Sequence, residues 1–569
     1  MTAPRDEFDD LIVGGGAAGS VLANRLSADP GRRVLLLEAG QDVRPGEEPA
    51  DIRSIFPLST FNPAYMWPDT QVHWRKANGA APSFFPQGRL VGGTSQIMGM
   101  FALRGRPEDY DEWAAMGAEG WGWNDVLPWF RKLESDHDFD GALHGDDGPV
   151  PVRREPPSAW SPLSALLHQV TAARGMAHVA DMNADFRDGY GTLPLSRFPD
   201  KRGSAGICYL DAGVRRRPGL TVQAGATVTR LLLERRDGAL HCRGVVYTDA
   251  HGQSHEVRAR RVVLAAGALR SPALLLRSGI GPAGDLARAG VEPRHDLAGV
   301  GRNLQNHAIL YAVAFLTPSG REPAGVRPAC ATTLRWSSEG QGGMPGDMGM
   351  YIRSWLSWHA LGHRMASLAP VLNKPWSRGT VTLCPQSPAT RTVVEFNLLS
   401  DTRDLARITD AFRFTASLFG ELGGVCGKPY VLANAGDLSR LMRYNEPTRA
   451  NAARAAVAAR LIDTLPRAGQ RMLARMSKMI PAADVLRSDE TLADFARESI
   501  SGTGHVSGTC RMGATRDPLA VVDPHGRVHG MHGLFVADAS VMPAVPSANT
   551  HLPTIMVAEK IADGLLSRH

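Results

Sequence analysis

Cysteine is scarce in this chain, six among 569 residues, and the six (Cys208, Cys242, Cys330, Cys384, Cys426, Cys510) stand apart, with no CxxC pair and no Cys/His grouping at metal-ligand spacing. Such a scatter excludes a disulfide framework and gives no sign of a structural zinc; free thiols in a reducing compartment and no metal are expected. Long hydrophobic runs are missing too, so no segment reads as a membrane span. The opening MTAPRDEFDD is polar and acidic and runs directly into LIVGGG, which is neither the charged start nor the apolar stretch of a secretion signal. A cytoplasmic protein is the expectation. Charge of one sign is nowhere concentrated: 63 Lys and Arg against 57 Asp and Glu give a net charge of +6, spread without runs, and leave no footprint for nucleic acid or anionic lipid. Internal repeats and low-complexity linkers are absent as well.

What the chain does have is apolar content, 43% over a length too great for one core, which implies two or more domains. The stretch DDLIVGGGAAGSVLANRLS, followed by RRVLLLEAG, reads as a buried strand, an Ala-rich helix to Leu26 and a second strand over Val34 to Leu37. Helices are expected at 107–117 and 124–134, and alternating strands at 220–234, 241–248 and 254–266. From about 311 to 490 the character changes. Strands in TVTLCPQ and TVVEFNLLS precede a helix N-capped by Ser400, with Leu405, Ile408, Phe412 and Phe419 on one face, and an Ala/Arg-rich helix follows near 447–462. Glycine-rich sequence returns from about 490, and PTIMVAEKIADGLL closes the chain as a helix.

Gly14, Gly16 and Gly19 form G-x-G-x-x-G at the end of the first strand, and Glu38 ends the second. Glycines at that spacing let the backbone approach a pyrophosphate. The helix N-terminus adds free amides and a partial positive charge, and the acid binds a ribose hydroxyl while disfavouring the 2′-phosphate of NADP. Gly279, Gly281 and Gly284 in SGIGPAGD repeat the spacing, but they follow a helix-like SPALLLRS and include Pro282, so a loop is expected there. A single such site leaves two readings: NAD with a substrate, or FAD alone.

Several further stretches, covering almost the whole chain, resemble the glucose-methanol-choline (GMC) family of FAD-dependent oxidoreductases. They are GRLVGGTSQIMGM (88–100), HGDDGPVPV, RGSAGICYL, GALRSPALLLRSGIG (267–281), GVGRNLQNH, HVSGTCRMG and GLFVADASVMPAVPSANTHLPTIMVAEKIAD. Within the family the likeness is to bacterial aryl-alcohol oxidases of the hydroxymethylfurfural oxidase type. The resemblance implies an α/β protein, α+β overall. A Rossmann-like doubly wound FAD-binding domain is expected from 1–155, 200–310 and 490–569, and a discontinuous, sheet-based substrate-binding domain from 156–199 and 311–489. It implies FAD contacts by Gly14, Gly16, Ala17, Ala18, Gly19, Glu38 and Ala39, and by Arg89, Gly92, Gly93, Thr94, Ser95, Met98, Gly99 and Met100 of the first signature. Val228 would touch the adenine, with Ala266, Gly267, Asp538 and Ala539 along the cofactor. His551, Pro553 and Thr554 would lie where the last helix points at the flavin.

The resemblance also implies the chemistry. An alcohol is too weak an acid to ionise fully against an imidazole of ordinary pKa, about 6.5. Its proton therefore leaves with assistance from hydride departure, and a base within hydrogen-bond reach suffices. His505 stands at the family's base position and His551 at the second active-site position, where relatives carry His or Asn, as a donor to the developing alkoxide. The expected reaction is oxidation of a primary alcohol to the aldehyde, with electrons passed to oxygen or a quinone-type acceptor, by a monomer or homodimer. Choline-type or other aliphatic alcohol dehydrogenation is the alternative within the family. Hydroxynitrile lyases, which share the fold and keep FAD without redox chemistry, are the alternative from another class.

Three positions depart from the family pattern. Met98 replaces the usual Asn and removes a side-chain donor near the flavin. Ile97 occupies the place of a flavin-linking His, so noncovalent FAD is expected. Asn306 stands where Asp is frequent, with little expected effect. The Met/Trp/Tyr-rich segments 342–365 and 61–68 suit an apolar or aromatic pocket, and their tryptophans would also suit a cation cage.

Overall fold

The computed structural model describes residues 7–76, 81–323, 325, 327–340, 342–432 and 438–567. The apolar run at the start forms β1 (Phe8–Val13), the Ala-rich stretch α1 (Ala17–Leu26), and VLLL β2 (Val34–Leu37). Both strands are buried because parallel neighbours and helices cover them on every side. The sheet runs Leu220–Gln223, β2, β1, Ser254–Leu264, Ala239–Thr248, Thr227–Arg236, and Leu534–Val536 adds to Ser254–Leu264. Register aligns one end of the parallel strands: Gln223 faces Leu37, Leu37 faces Val13, Val13 faces Leu264 and Leu264 faces Val536. The residues after that row are Glu38, Gly14, Ala265 and Ala537, so segments far apart in sequence leave the sheet at one edge, where open α/β sheets bind ligands.

Two glycines permit the tight βα turn. Gly14 has φ of +99°, and a Cβ there would sit 2.7 Å from the Ala265 carbonyl oxygen; a Cβ on Gly19 would sit 1.9 Å from the Gly14 oxygen. Thus α1 lies directly against the turn. Its other side meets the last helix, His551–Leu566, where Arg25 forms an ion pair at 2.7 Å with Glu559, a buried carboxylate that also accepts from Tyr209 Oη.

The second sheet runs Met479–Pro481, Tyr430–Leu432, Ala312–Phe315, Met365–Leu372, Met348–Arg353, Thr332–Trp336, Gly189–Thr192, Ala177–Val179. The long helix Thr402–Glu421 buries Ile408, Phe412 and Phe419 in the core that these strands build, with Leu405 at its margin. Its cap is Asp401, not Ser400: the Asp401 carboxylate accepts the Arg403 N–H at 3.0 Å. At one edge, Ala308–Ile309 pairs antiparallel with Ser501–Gly502.

Two other expectations are corrected. The second glycine repeat is no simple loop: Ile280–Gly281 is a short strand paired with His295–Asp296, and Ala283–Arg288 is a helix of six residues. The closing helix begins at His551, two residues earlier than Pro553. Pro553 falls within the first turn, where a missing N–H leaves no bond unmade, and Thr554 N donates to Thr550 O at 2.9 Å. All six cysteines are free thiols, five of them buried.

Candidate active site

A cavity of about 670 Å³ lies between the strand ends of the first sheet and the wall of the second. Gly14, Gly16, Ala17, Ala18, Glu38 and Ala39 line it from the first βαβ unit, and Gly93, Thr94, Ser95, Met98, Gly99 and Met100 from the first signature. Val228, Ala266, Gly267, Asp538, Ala539, His551 and Thr554 complete that part of the wall. Four expected contacts stand behind it. Gly19 packs on Gly14 and Gly92 donates its N–H to Gly15 O at 2.7 Å; Pro553 is buried in the helix, and Arg89 lies over the Trp67 ring.

This end fits a dinucleotide. A Cβ on Gly16 would meet only the Ala265 oxygen, at 4.0 Å, so at the start of α1 the backbone faces open cavity with free amides. Glu38 is held in place by the Gly15 N–H on Oε2 and the Gly40 N–H on Oε1, both 2.8 Å. Burial pushes its carboxyl up, opposed by those two bonds and by Arg89 and Arg270. Asp538 is tied differently: Gly267 N–H and Ser271 Oγ donate to Oδ2 at 2.8 and 2.5 Å, and Ser540 N–H to Oδ1 at 2.8 Å. Its carboxylate fastens two cavity-lining turns together.

The histidine end is assembled by strand pairing. Ala308 pairs with Gly502, Thr503 N donates to His307 O, and Gln305 and Ser507 exchange two backbone bonds at 3.1 Å. This ladder sets His307 beside His505 although 198 residues separate them, Nδ1 to Nδ1 at 2.8 Å. Asn306 clamps the loop: its Nδ2 donates to Thr503 O at 2.7 Å, and its Oδ1 accepts the His505 N–H at 3.2 Å. Asn306 thus supplies a donor to Thr503 that an Asp at this position would lack.

Tautomers follow from a carbonyl that can only accept. His307 Nε2 lies 3.0 Å from Pro546 O and so carries the hydrogen there, which leaves Nδ1 of neutral His307 as an acceptor. His505 must then donate from Nδ1, and its Nε2 presents a lone pair. Asn549 Nδ2 donates to that nitrogen at 2.9 Å and also to Tyr351 Oη at 3.1 Å. Burial lowers His307 to about 3; burial, and then the neighbouring His307, holds His505 well below its ordinary value. His551, the first residue of the last helix, is lowered to about 4 by burial and then by Arg202. An imidazole kept neutral in this way can still accept a proton in mild acid. The kcat/KM profile is expected to stay level down to about pH 6.5 and to decline only below it, as pH falls through the lowered pKa of His505. A decline centred at or above pH 6.5 would contradict this environment.

His307 and Asn549 were not singled out from sequence, although each stands in or beside a recognised stretch, GVGRNLQNH and NTHLPT. Met98 lies against Gly504, next to His505, and its carbonyl accepts from Arg202 Nη1 at 2.6 Å. Ile97 is fully buried in a cluster with Ile52, Tyr65, Met66 and Leu90. The remaining wall is aromatic: Phe101 and Tyr351 pack at 5.2 Å, Phe56 and Trp355 at 5.9 Å. Tyr351, Trp355 and Leu356 come from segment 342–365, and Phe61 and Trp67 from 61–68. Outside the cavity, Glu134, Asp136 and His144 lie within ligand distance of one another. Arg104 and Arg154 already pair with the two acids. Although burial opposes it, bonds to Asp136, Asp181 and Glu134 raise His144 to about 10, so it carries a proton where a metal needs a free nitrogen.

The GMC oxidoreductase N-terminal profile matches residues 8–309 and the C-terminal profile residues 375–558. The chain is 38% identical to 5-(hydroxymethyl)furfural oxidase of Methylovorus sp. (strain MP688), covering 99% of both chains. It is 32% identical to mitochondrial choline dehydrogenase of Homo sapiens, covering 98% of this chain and 90% of that one. Among solved structures, pyridoxine 4-oxidase from Mesorbium loti superposes with a TM-score of 0.80 at 28% identity, covering 99% of this chain and all of the other. The matches span both halves of the cavity and nearly the whole length, and the chain belongs to the GMC oxidoreductase family of FAD-dependent alcohol oxidases and dehydrogenases.

Proposed function

We propose that the enzyme oxidises a primary alcohol with an aromatic or apolar side group to the aldehyde, with His505 as proton acceptor. The observation that carries this reading is the chain Pro546 O, His307, His505, which leaves the Nε2 lone pair, bonded by Asn549 Nδ2, as the acceptor of a residue on the cavity wall. FAD, when bound, supplies the two-electron acceptor for the hydride leaving the carbinol carbon. The substrate hydroxyl replaces Asn549 as the donor to Nε2, and Asn549 keeps its bond to Tyr351. As the proton moves to Nε2, the His505 Nδ1–H bond to His307 steadies the imidazolium. His551, neutral at pH 7, offers an N–H donor to the oxygen that acquires negative charge. The aromatic wall excludes water and holds the side group.

The Gly16 face, Glu38 and the amides of α1 would hold the ADP part of the cofactor, and the residues around Met98 and the last helix its flavin. Attachment is noncovalent, since Ile97 offers no nucleophile. The electron acceptor is oxygen or a quinone, and the protein works in the cytoplasm as a monomer or homodimer; no helix among the described residues is long and apolar enough to cross a membrane. The anaerobic holoenzyme is expected to lose its visible flavin absorbance when mixed with benzylic alcohols. A broad alcohol panel that leaves the absorbance intact would overturn the reading. Oxygen uptake compared with dye reduction under the same substrate separates oxidase from dehydrogenase.

A further inference from the structure

We infer that Arg353 receives a carboxylate, so that the alcohol taken by this site is an aromatic ring with a hydroxymethyl group at one end and a carboxylate at the other. The inference rests on the proposed function, in that it places the hydroxymethyl group at His505.

Arg353 ends the strand Met348–Arg353 and lines the same cavity as His505. Tyr351, two residues earlier, presents its phenol to Asn549, which bonds His505. Positions two apart in a strand share a face about 7 Å apart, so the guanidinium stands on the wall that carries the base, one step further from it. Arg353 is half-buried; three fully or nearly buried arginines are matched by acids, Arg104 by Glu134, Arg154 by Asp136 and Arg407 by Asp347, while Arg202 and Arg335 are held by backbone carbonyls that take up their donors. Arg353 has no carboxylate partner among the described residues; its neighbours are the Cys330 thiol and the Tyr311 and Tyr351 phenols. Burial pushes all three further from ionising, so none supplies a negative charge at neutral pH.

Two donors on this wall are buried and unbonded: Arg353 Nε and Trp355 Nε1. Trp355 is two positions further along, lines the cavity, and is fixed by stacking on His363 at 4.0 Å and 17°. Arginine stays protonated at any accessible pH, and a half-buried charge without a counter-charge, its Nε shut off from solvent, is unfavourable. A carboxylate removes that penalty with two parallel hydrogen bonds to the guanidinium fork, and Trp355 Nε1 adds a third donor. The aromatic surfaces of Phe101, Tyr311 and Tyr351 flank the space between this corner and His505. The same wall argues against the cation cage that its tryptophans allowed.

The test compares 4-(hydroxymethyl)benzoate with its neutral isostere 4-(hydroxymethyl)benzamide on the holoenzyme. Wild-type kcat/KM is expected to favour the benzoate by about tenfold or more, as for a charged hydrogen bond in a buried site. Arg353→Met should collapse that ratio towards unity, and Arg353→Lys, which keeps the charge and loses the fork, should give an intermediate ratio. Equal wild-type kcat/KM for the two alcohols, or a ratio that Arg353→Met leaves unchanged, overturns the inference. Should Arg353→Met fail to retain FAD, the wild-type ratio and Arg353→Lys decide. If neither alcohol reduces the flavin, the proposed function fails, and the carboxylate site is judged by binding of 4-methylbenzoate against 4-methylbenzamide, read from the flavin spectrum. Tighter binding of the benzoate, weakened in Arg353→Lys, supports it, and equal binding overturns it.

Discussion

Replacing His505 by alanine is expected to slow anaerobic flavin reduction by about 10²- to 10⁴-fold, the range for a positioned base, while FAD content and thermal stability stay near wild type. The separation between the two effects comes from position. His505 lies in a loop held by backbone bonds between 305–309 and 501–507 and by Asn306, none of which uses the imidazole. Among the described residues the imidazole itself bonds only His307 and Asn549. Stopped-flow reduction with saturating alcohol measures the step directly, and a rate within threefold of wild type would remove His505 from the proton transfer.

Gly19→Val is expected to yield colourless protein. The added Cβ would sit 1.9 Å from the Gly14 carbonyl oxygen, a backbone atom that cannot move aside without pulling α1 away from β1. The amides at the start of α1 then no longer face the cavity, and the site for a pyrophosphate is lost. Gly284→Ala, at the corresponding position of the second glycine repeat, serves with Gly19→Ala as the paired control. A Cβ on Gly284 meets nothing nearer than the flexible end of Arg288, at 3.6 Å, in a helix that alanine favours, so full FAD content is expected of Gly284→Ala. The ratio of flavin to protein absorbance checks the variants. Normal flavin content in Gly19→Val would show that the fingerprint is not the cofactor cradle.

The cradle was legible because its parts are local. A buried strand, three glycines and an acid at fixed spacing describe one βαβ unit, and the unit builds as read, from Phe8 to Glu38. The partners of His505 were not legible for the opposite reason. His307 reaches it through a two-residue strand pair, Ala308–Ile309 with Ser501–Gly502, too short to leave any periodicity in the sequence. Arg353 hid in the same way: a lone arginine in a strand reads as solvent-facing until the fold encloses it, and the Met/Trp/Tyr content of segment 342–365 pointed to an apolar wall instead. At element ends, neighbouring residues competed for one role. Ser400 and Asp401 can both cap a helix, and Asp401 does so because its carboxylate reaches the Arg403 N–H. Pro553 marked the closing helix two residues late, because proline belongs anywhere in a first turn.

The packing of α1 on the closing helix, sealed by Arg25 and Glu559 across 534 positions, orders events during synthesis. The glycine fingerprint leaves the ribosome first, but the helix that covers α1 is translated last, roughly half a minute to two minutes later at bacterial or eukaryotic speeds. Through that interval the face of α1 that carries Arg25 lacks its cover. A chain shortened by its last helix is therefore expected to lose the packing of the first, read as a fall in thermal stability against the full-length protein.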